Sequence, residues 1–400
     1  LVSFLVGAFR GKAWSYMKRS LLIVYSKMIV GGSTTSLLSL LHELDYGQYD
    51  VDLLLYEKGG VLDGQIPPAV NVLDNAFLHA QKRPLSYKAA FAGAYLKSKL
   101  RRNPLIRSQI MSKQLVKSQP VLSKSYDTAI AYLEFWPSNY VHQKVNAKQK
   151  ILWLHVDYLE ARLDMRCDKR MYGEANAIVT VSEECKKNLI NILPGNDNIY
   201  CIHNILSSKT IHGLSTEFVP NEKLYEADTV FITVARIVFN HKGYDRGVNA
   251  FQKMKKAHPE KSFKWLIIGD GPDRPQLEVM IENAGLQDAI ILLGELTNPH
   301  PYVKKADIFF LPSRYEGKPM SVTEAQMNGV VPFVTNYASA SGQIRHMEDG
   351  LVCENNDEAL VTMMDRIFSG EIDLEAMKKR IAQTDYSNRE EVEKVYKLLK

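Results

Sequence analysis

Cysteine is scarce in this chain, four in 400 residues, and Cys167, Cys185, Cys201 and Cys353 form no C-x-x-C pair and have no histidine cluster beside them. That scatter argues against a zinc site or a disulfide framework and suits a reducing compartment. The sequence also lacks any run near the roughly 18–20 apolar residues that a bilayer crossing needs. Its opening, LVSFLVGAF, is apolar but short, and Arg10 and Lys12 follow it rather than precede it, a poor secretory signal. Met17 stands just before KRSLLIVYS, so residues 1–16 read as a possible leader or as residues outside the native protein. No D-x-D metal motif stands at a strand end; the one in YDVDLL falls inside a strand pattern. Acidic residues are missing altogether from 75–126, a stretch that carries eleven Lys and Arg.

What remains is the composition of an ordinary water-soluble globular protein, 46% hydrophobic and 24% charged, with a mild net charge of +5. A chain of 400 residues exceeds what one core usually holds, so two domains are expected. From Ser20 short apolar runs alternate with helical patterns: SLLIVYS, YDVDLLLY, YDTAIAYL, KILWLHV, AIVTVS and NIYCIHN. After SLLIVYS come Gly31-Gly32 and then TTSLLSLLHEL, a helix with Ser33 or Thr34 as its expected cap. A polar, non-periodic stretch at about 207–228 separates this series from a second: TVFITVARI, SFKWLIIGDG, AIILLGEL, ADIFFLPS, VVPFVTN and GLVCE. Continuous apolar strands separated by helices imply parallel sheets covered on both faces. The expected architecture is α/β, two Rossmann-like doubly wound domains facing a central cleft, over 17–206 and 207–379. A C-terminal helix, 380–400, is expected to pack back on the first domain.

In open α/β sheets ligands sit beyond the carboxyl ends of the strands. Arg236 follows TVFITVARI, and Lys242-Gly243 come just before a helix, the makings of a diphosphate clamp. Gly269 lies in the turn of IIGDGP, and Gly31-Gly32 holds the equivalent position in the first half. Taken singly, a Gly-Gly pair is also an ordinary turn and a lone cation a solvated one. SRYEGKPMSVTEAQMNGVVP follows the strand ADIFFLP, which puts Glu316 in a strand-end loop and Glu324 on the next helix, with Pro319 in its first turn. The N–H groups of Met320 and Ser321 are then free for a phosphate. The plain alternative is a loop carboxylate and a solvated helix residue.

ARIVFNHKGYDRGVNAF, IIGDGPDRPQLE, LLGEL (which contains Gly294) and SRYEGKPMSVTEAQMNGVVPFVT together resemble the donor half of family-4 retaining glycosyltransferases of the GT-B fold, with Glu316 and Glu324 matching their E-x7-E motif. The resemblance covers most of 150–375 and is looser in the first half, where it rests on Gly31-Gly32, LWLHVDY, VSEECKKNL and HNILS. It implies that Arg236 and Lys242 hold the donor diphosphate, that Glu324 binds the ribose hydroxyls and that Glu316 contacts the transferred sugar. His155 would reach that sugar from the first domain; the alternative for His155 is a satisfied histidine at the end of a buried strand. The implied activity is metal-independent transfer from a nucleotide sugar, UDP-linked by preference, to a glycan or lipid-linked acceptor in surface-polysaccharide synthesis, with no tightly bound cofactor. A nucleotide-sugar 2-epimerase of the same fold and a non-catalytic nucleotide-sugar-binding subunit are the alternatives. The basic segment 82–124, in which Tyr, Phe, Leu and Ile interleave with the cations, predicts docking on an anionic membrane surface or binding of a phosphorylated acceptor, and a cytoplasmic, peripheral location on the inner face. A solvated basic hairpin is the plain alternative, and no nucleic-acid-binding module accompanies the charge.

Overall fold

The computed structural model describes residues 18–29, 31–74, 85–99, 101 and 103–400. The expected leader, 1–16, and part of the basic segment therefore lie outside the described residues. The first sheet comprises β1 (Arg19–Tyr25), β2 (Tyr49–Leu55), β3 (Asn71–Val72), β4 (Ser125–Ala131), β5 (Asn146–Leu154), β6 (Ala177–Thr180) and β7 (Ile199–Cys201). The second comprises β8 (Thr229–Val234), β9 (Phe263–Ile268), β10 (Ile290–Gly294), β11 (Ile308–Leu311), β12 (Val331–Thr335) and β13 (Leu351–Cys353). Their spatial orders are β3-β2-β1-β4-β5-β6-β7 and β10-β9-β8-β11-β12-β13, and every pairing is parallel. Both are doubly wound Rossmann-like sheets, so the chain is α/β with two such domains.

The apolar runs become central strands because both faces of each sheet are covered. Along β1, Leu21, Ile23 and Tyr25 enter one core cluster while Leu22 and Val24 enter the cluster on the opposite face. Along β8, Phe231 faces the aromatic core of Phe251, Trp265 and Phe310, while Val230 and Ile232 face Phe309 and Val322. With a period of two along a strand, an uninterrupted apolar run is what such double coverage demands.

Several details depart from the sequence reading. The first long helix spans Gly32–Glu43 and is preceded by Gly31, not capped by Ser33 or Thr34. Those two hydroxyls lie 2.9 Å from the Tyr25 hydroxyl, which binds them more usefully than the helix start does. Pro319 precedes the helix Met320–Met327 rather than opening its first turn. The stretch at 207–228 holds a helix, Ser208–Ser215, whose Leu214 packs into the first core. The last helix, Arg389–Leu399, lends Val392, Val395 and Leu399 to that same core, and its Tyr396 ring stacks on Tyr49 at 6.1 Å. The polypeptide thus returns to the first sheet after completing the second. Among the described residues no helix is long and apolar enough to cross a membrane.

Candidate active site

In each sheet the first and fourth strands are neighbours whose connections leave in opposite directions, and this switch point opens a crevice at their carboxyl ends. In the second domain the strands concerned are β8 and β11. The segment after β8 carries Arg236 and, at the end of the short helix Phe239–Lys242, Lys242, and the loop after β11 carries Ser313 and Glu316, so residues far apart in sequence converge. Lys242 Nζ lies 2.6 Å from Glu316 Oε1, with side-chain exposures of 16% and 6%. The Ser313 hydroxyl donates to the same carboxylate oxygen at 2.6 Å. Thr335 in turn donates to the Ser313 carbonyl, fixing the loop from β12. Glu316, expected in a strand-end loop, is held between an ammonium and a hydroxyl.

The two loops touch because glycine lets them. Gly243 has φ 68°, and a Cβ there would lie 2.1 Å from the Pro312 carbonyl oxygen. Gly243→Ala is expected to lower stability by about 1–2 kcal/mol for the left-handed backbone and by roughly 1–3 kcal/mol more for the clash. A fall in the urea midpoint with an unchanged slope would check this, and a midpoint equal to that of the parent would contradict it. Gly269, at φ 138°, lies under the same loop: its Cβ would meet the Ala235 carbonyl oxygen at 2.2 Å, and its N–H donates to the Gly294 carbonyl at 2.8 Å. The Arg236 backbone N–H is seated beside Gly269, and its side chain is exposed and without a hydrogen-bond or ion-pair partner among the described residues. The structure does not bring Arg236 into the Lys242–Glu316 pair.

Arg314, which sequence reasoning passed over, locks the arrangement. Its guanidinium grips both oxygens of Asp245 at 2.8 and 2.7 Å and donates to the Phe239 carbonyl at 2.7 Å. A bidentate pair of this kind fixes orientation as well as distance. The signal was present, an arginine two residues before Glu316, but its partner is 69 residues away.

Helix Met320–Met327 starts at the crevice, and the first-turn N–H groups of Met320 and Ser321 have no intrahelical acceptor. Glu324, one turn in, is half-buried, and its carboxylate has no partner among the described residues. Burial alone pushes its pKa up to about 7. Facing this helix is the first domain: a Cβ on Gly32 would stand 3.4 Å from Met320 Sδ, and the Asn204 amide donates to that sulfur at 3.1 Å, whereas Gly31 has open space around it. Asn204 adjoins His155, whose pKa burial lowers to about 4, so the ring is neutral at physiological pH. Among the described residues, His155 Nε2 and Asn204 Oδ1 are both buried without a hydrogen-bond partner, an arrangement suited to a polar ligand. Sequence reasoning placed His155 at a strand end but missed Asn204, the third residue after β7.

Among the described residues no cluster of His, Cys, Asp and Glu is placed to hold a metal ion. The D-x-D aspartates of β2 are committed elsewhere, Asp50 to Lys18 at 3.6 Å and Asp52 to Lys124 at 2.7 Å.

Residues 215–384 match a family model described as Glycosyl transferases group 1. The chain is 27% identical over 172 residues to an uncharacterized glycosyltransferase of Haemophilus influenzae, covering 42% of this chain and 48% of that protein. It is 31% identical over 94 residues to the UDP-Gal:alpha-D-GlcNAc-diphosphoundecaprenol alpha-1,3-galactosyltransferase of Escherichia coli, covering 23% of this chain and 24% of that one. The chain thus spans about half the length, or less, of these curated relatives. Its fold is similar to that of Anabaena HepE, solved in complex with UDP and glucose, with a TM-score of 0.60, 13% identity, and coverage of 95% of this chain and 99% of that one. The neighbours are GT-B glycosyltransferases in fold. Over residues 215–384, the bulk of the second Rossmann-like domain, the chain is similar to the glycosyl transferases group 1 family.

Proposed function

We propose that the chain is a retaining glycosyltransferase that moves a hexose or N-acetylhexosamine from a UDP-sugar to a glycan or lipid-linked acceptor in surface-polysaccharide synthesis. The observation that carries this reading is the Lys242–Glu316–Ser313 cluster at the second switch point, beside a helix start with free N–H groups. In this reading the donor diphosphate sits between Lys242, Arg236 and the N–H groups of Met320 and Ser321, with Gly269 and Gly294 letting the backbone approach. Glu324 accepts from the ribose hydroxyls, Glu316 faces the transferred sugar, and His155 meets it from the first domain past Gly31-Gly32.

Two cations and a helix start offset the charge that develops on the leaving diphosphate, which makes a divalent ion dispensable. The bond from the sugar's anomeric carbon to the phosphate oxygen breaks, the bond to the acceptor oxygen forms on the same face, and the acceptor proton passes to the departing phosphate. The sequence division at about 206–207 then separates an acceptor-side domain from a donor-side domain, with the last helix returning to the former.

A peripheral place on the inner membrane face fits the basic hairpin. Helix Leu85–Lys99 exposes Phe91, Tyr95 and Leu96, and helix Pro104–Lys117 exposes Arg107 and Lys117. Apolar anchors beside cations suit an anionic bilayer surface.

The test is thermal unfolding with a panel of nucleotides and nucleotide sugars, with and without EDTA. UDP and one UDP-sugar are expected to raise the melting temperature in EDTA, since a ligand that binds only the native state stabilises it. Lack of protection by every nucleotide would overturn the donor site. Protection that needs a divalent ion would overturn metal independence, and an inverted product would overturn retention.

A further inference from the structure

The first domain has its own switch point, between β1 and β4, and a cavity of about 240 Å3 opens there. Its walls are Tyr56, Trp136, Met111 and Leu115, with Ser112 from the basic helix and a single acid, Glu134, from the loop after β4. Glu134 is 9% exposed. One of its carboxylate oxygens accepts from the backbone N–H of His155 at 3.1 Å, and the other has no side-chain donor among the described residues. The next residue, Phe135, has φ 64° and ψ −113°, a conformation that costs energy for a residue with a Cβ. That strained turn aims the acid between the cavity and His155. The Tyr56 and Trp136 rings meet at 4.7 Å, and the Trp136 N–H is tied to Gln119 at 2.9 Å, so the indole offers the cavity only its apolar surface.

No lysine or arginine lines this cavity among the described residues, although cations crowd the outer surface of the same hairpin. Burial raises the Glu134 pKa, and in either protonation state the carboxyl brings no cation to an anionic occupant and needs a hydroxyl partner to offset its lost hydration. Aromatic and aliphatic walls suit the C–H face of a sugar ring. The volume lies below the roughly 300–1,000 Å3 that enclose drug-sized ligands, which suits one ring rather than several.

We propose that this cavity is the subsite for one neutral sugar ring of the acceptor, with Glu134 accepting a hydrogen bond from a ring hydroxyl and the aromatic walls packing on its C–H face. The proposal rests on the transferase reading above and gives it an acceptor class: a neutral glycosyl unit, not a uronic acid or a phosphorylated sugar, at the position next to the transfer point. Glu134 also holds the backbone of His155, so acceptor and donor sugar meet on the two sides of one strand end.

Ligand-observed NMR with methyl glucoside, methyl N-acetylglucosaminide and methyl glucuronide, in the presence of UDP, tests this on the full chain. The wild type is expected to bind at least one neutral glycoside saturably and the glucuronide at least tenfold more weakly. Glu134→Gln, which keeps an oxygen for the His155 N–H, and Ser108→Trp, which fills the mouth of the cavity from an exposed position, are each expected to weaken the neutral glycoside about tenfold. UDP should still raise the melting temperature of both variants, which reports on their folding. No saturable binding of either neutral glycoside, equal binding of the glucuronide, or variants that bind as the wild type does would each overturn the proposal. Loss of UDP protection in the wild type would instead count against the donor reading, and the glycoside arm would still judge the cavity.

Discussion

Glu316→Ala is expected to lose at least a hundredfold in sugar transfer and about 3 kcal/mol in the stability of the ligand-free protein. The stability term follows from the pair it breaks. Lys242 and Glu316 are both largely out of water, and removing one partner of a buried pair costs roughly 3–5 kcal/mol because the other charge stays behind. Lys242 keeps some access to solvent through the crevice, which puts the expectation at the low end. The kinetic term has a different origin. Without Glu316 the ammonium loses the partner that aims it at the crevice, and a preorganised charge facing a leaving group is worth about 10²–10³ in rate. The double variant Lys242→Met/Glu316→Met separates the two effects. Replacing both charges by apolar groups of similar size is often neutral or stabilising, so this variant should regain the urea midpoint while staying inactive. Glu316→Ala with turnover within threefold of wild type, or with an unchanged midpoint, would sink the idea that the pair is both a structural and a functional centre.

How much of this was legible beforehand depends on the range of the interaction concerned. The central strands could be read because each is a buried run with a local signature. β3 was missed because Asn71–Val72 has only two residues and no periodicity to detect. The long helices flanking the cavity, Leu85–Lys99 and Pro104–Lys117, showed only a broken apolar pattern, since much of their surface is open. Glu316, Glu324, Arg236 and Lys242 were picked out because the segments holding them follow strands and resemble a known donor half. Their mutual geometry was not readable: Lys242 and Glu316 are 74 residues apart, and only the adjacency of β8 and β11 joins them. Glu134 carried no signal at all in AIAYLEFWPSN. Its meaning comes from β4 lying between β1 and β5, a fact of sheet order that no local pattern records. The misplaced helix cap has the same cause, because Tyr25, outside the helix, competes for the hydroxyls of Ser33 and Thr34.

Glu324→Gln is expected to stabilise the ligand-free protein above neutral pH while abolishing UDP protection. Burial without a partner raises the Glu324 pKa from its ordinary 4.5 to about 7. Between those values the folded state holds a proton that the unfolded state has released. Stability therefore falls as pH rises through this window, because the slope follows protons bound in the unfolded state minus those bound in the native state. Above pH 7 both states are ionised and the full cost remains, about 3 kcal/mol by the linkage relation. Glutamine carries no charge to desolvate, so the variant should gain most of that amount at pH 8 and nothing at pH 4. The wild type keeps the acid, in our reading, because an ionised carboxylate accepts ribose hydroxyls far better than an amide does. UDP affinity of the wild type should then rise with pH between about 6 and 8 as Glu324 ionises, a dependence the variant lacks. Equal stability of the two proteins at pH 8 would show that Glu324 finds enough water to ionise freely. UDP protection unchanged in the variant would remove Glu324 from the donor site.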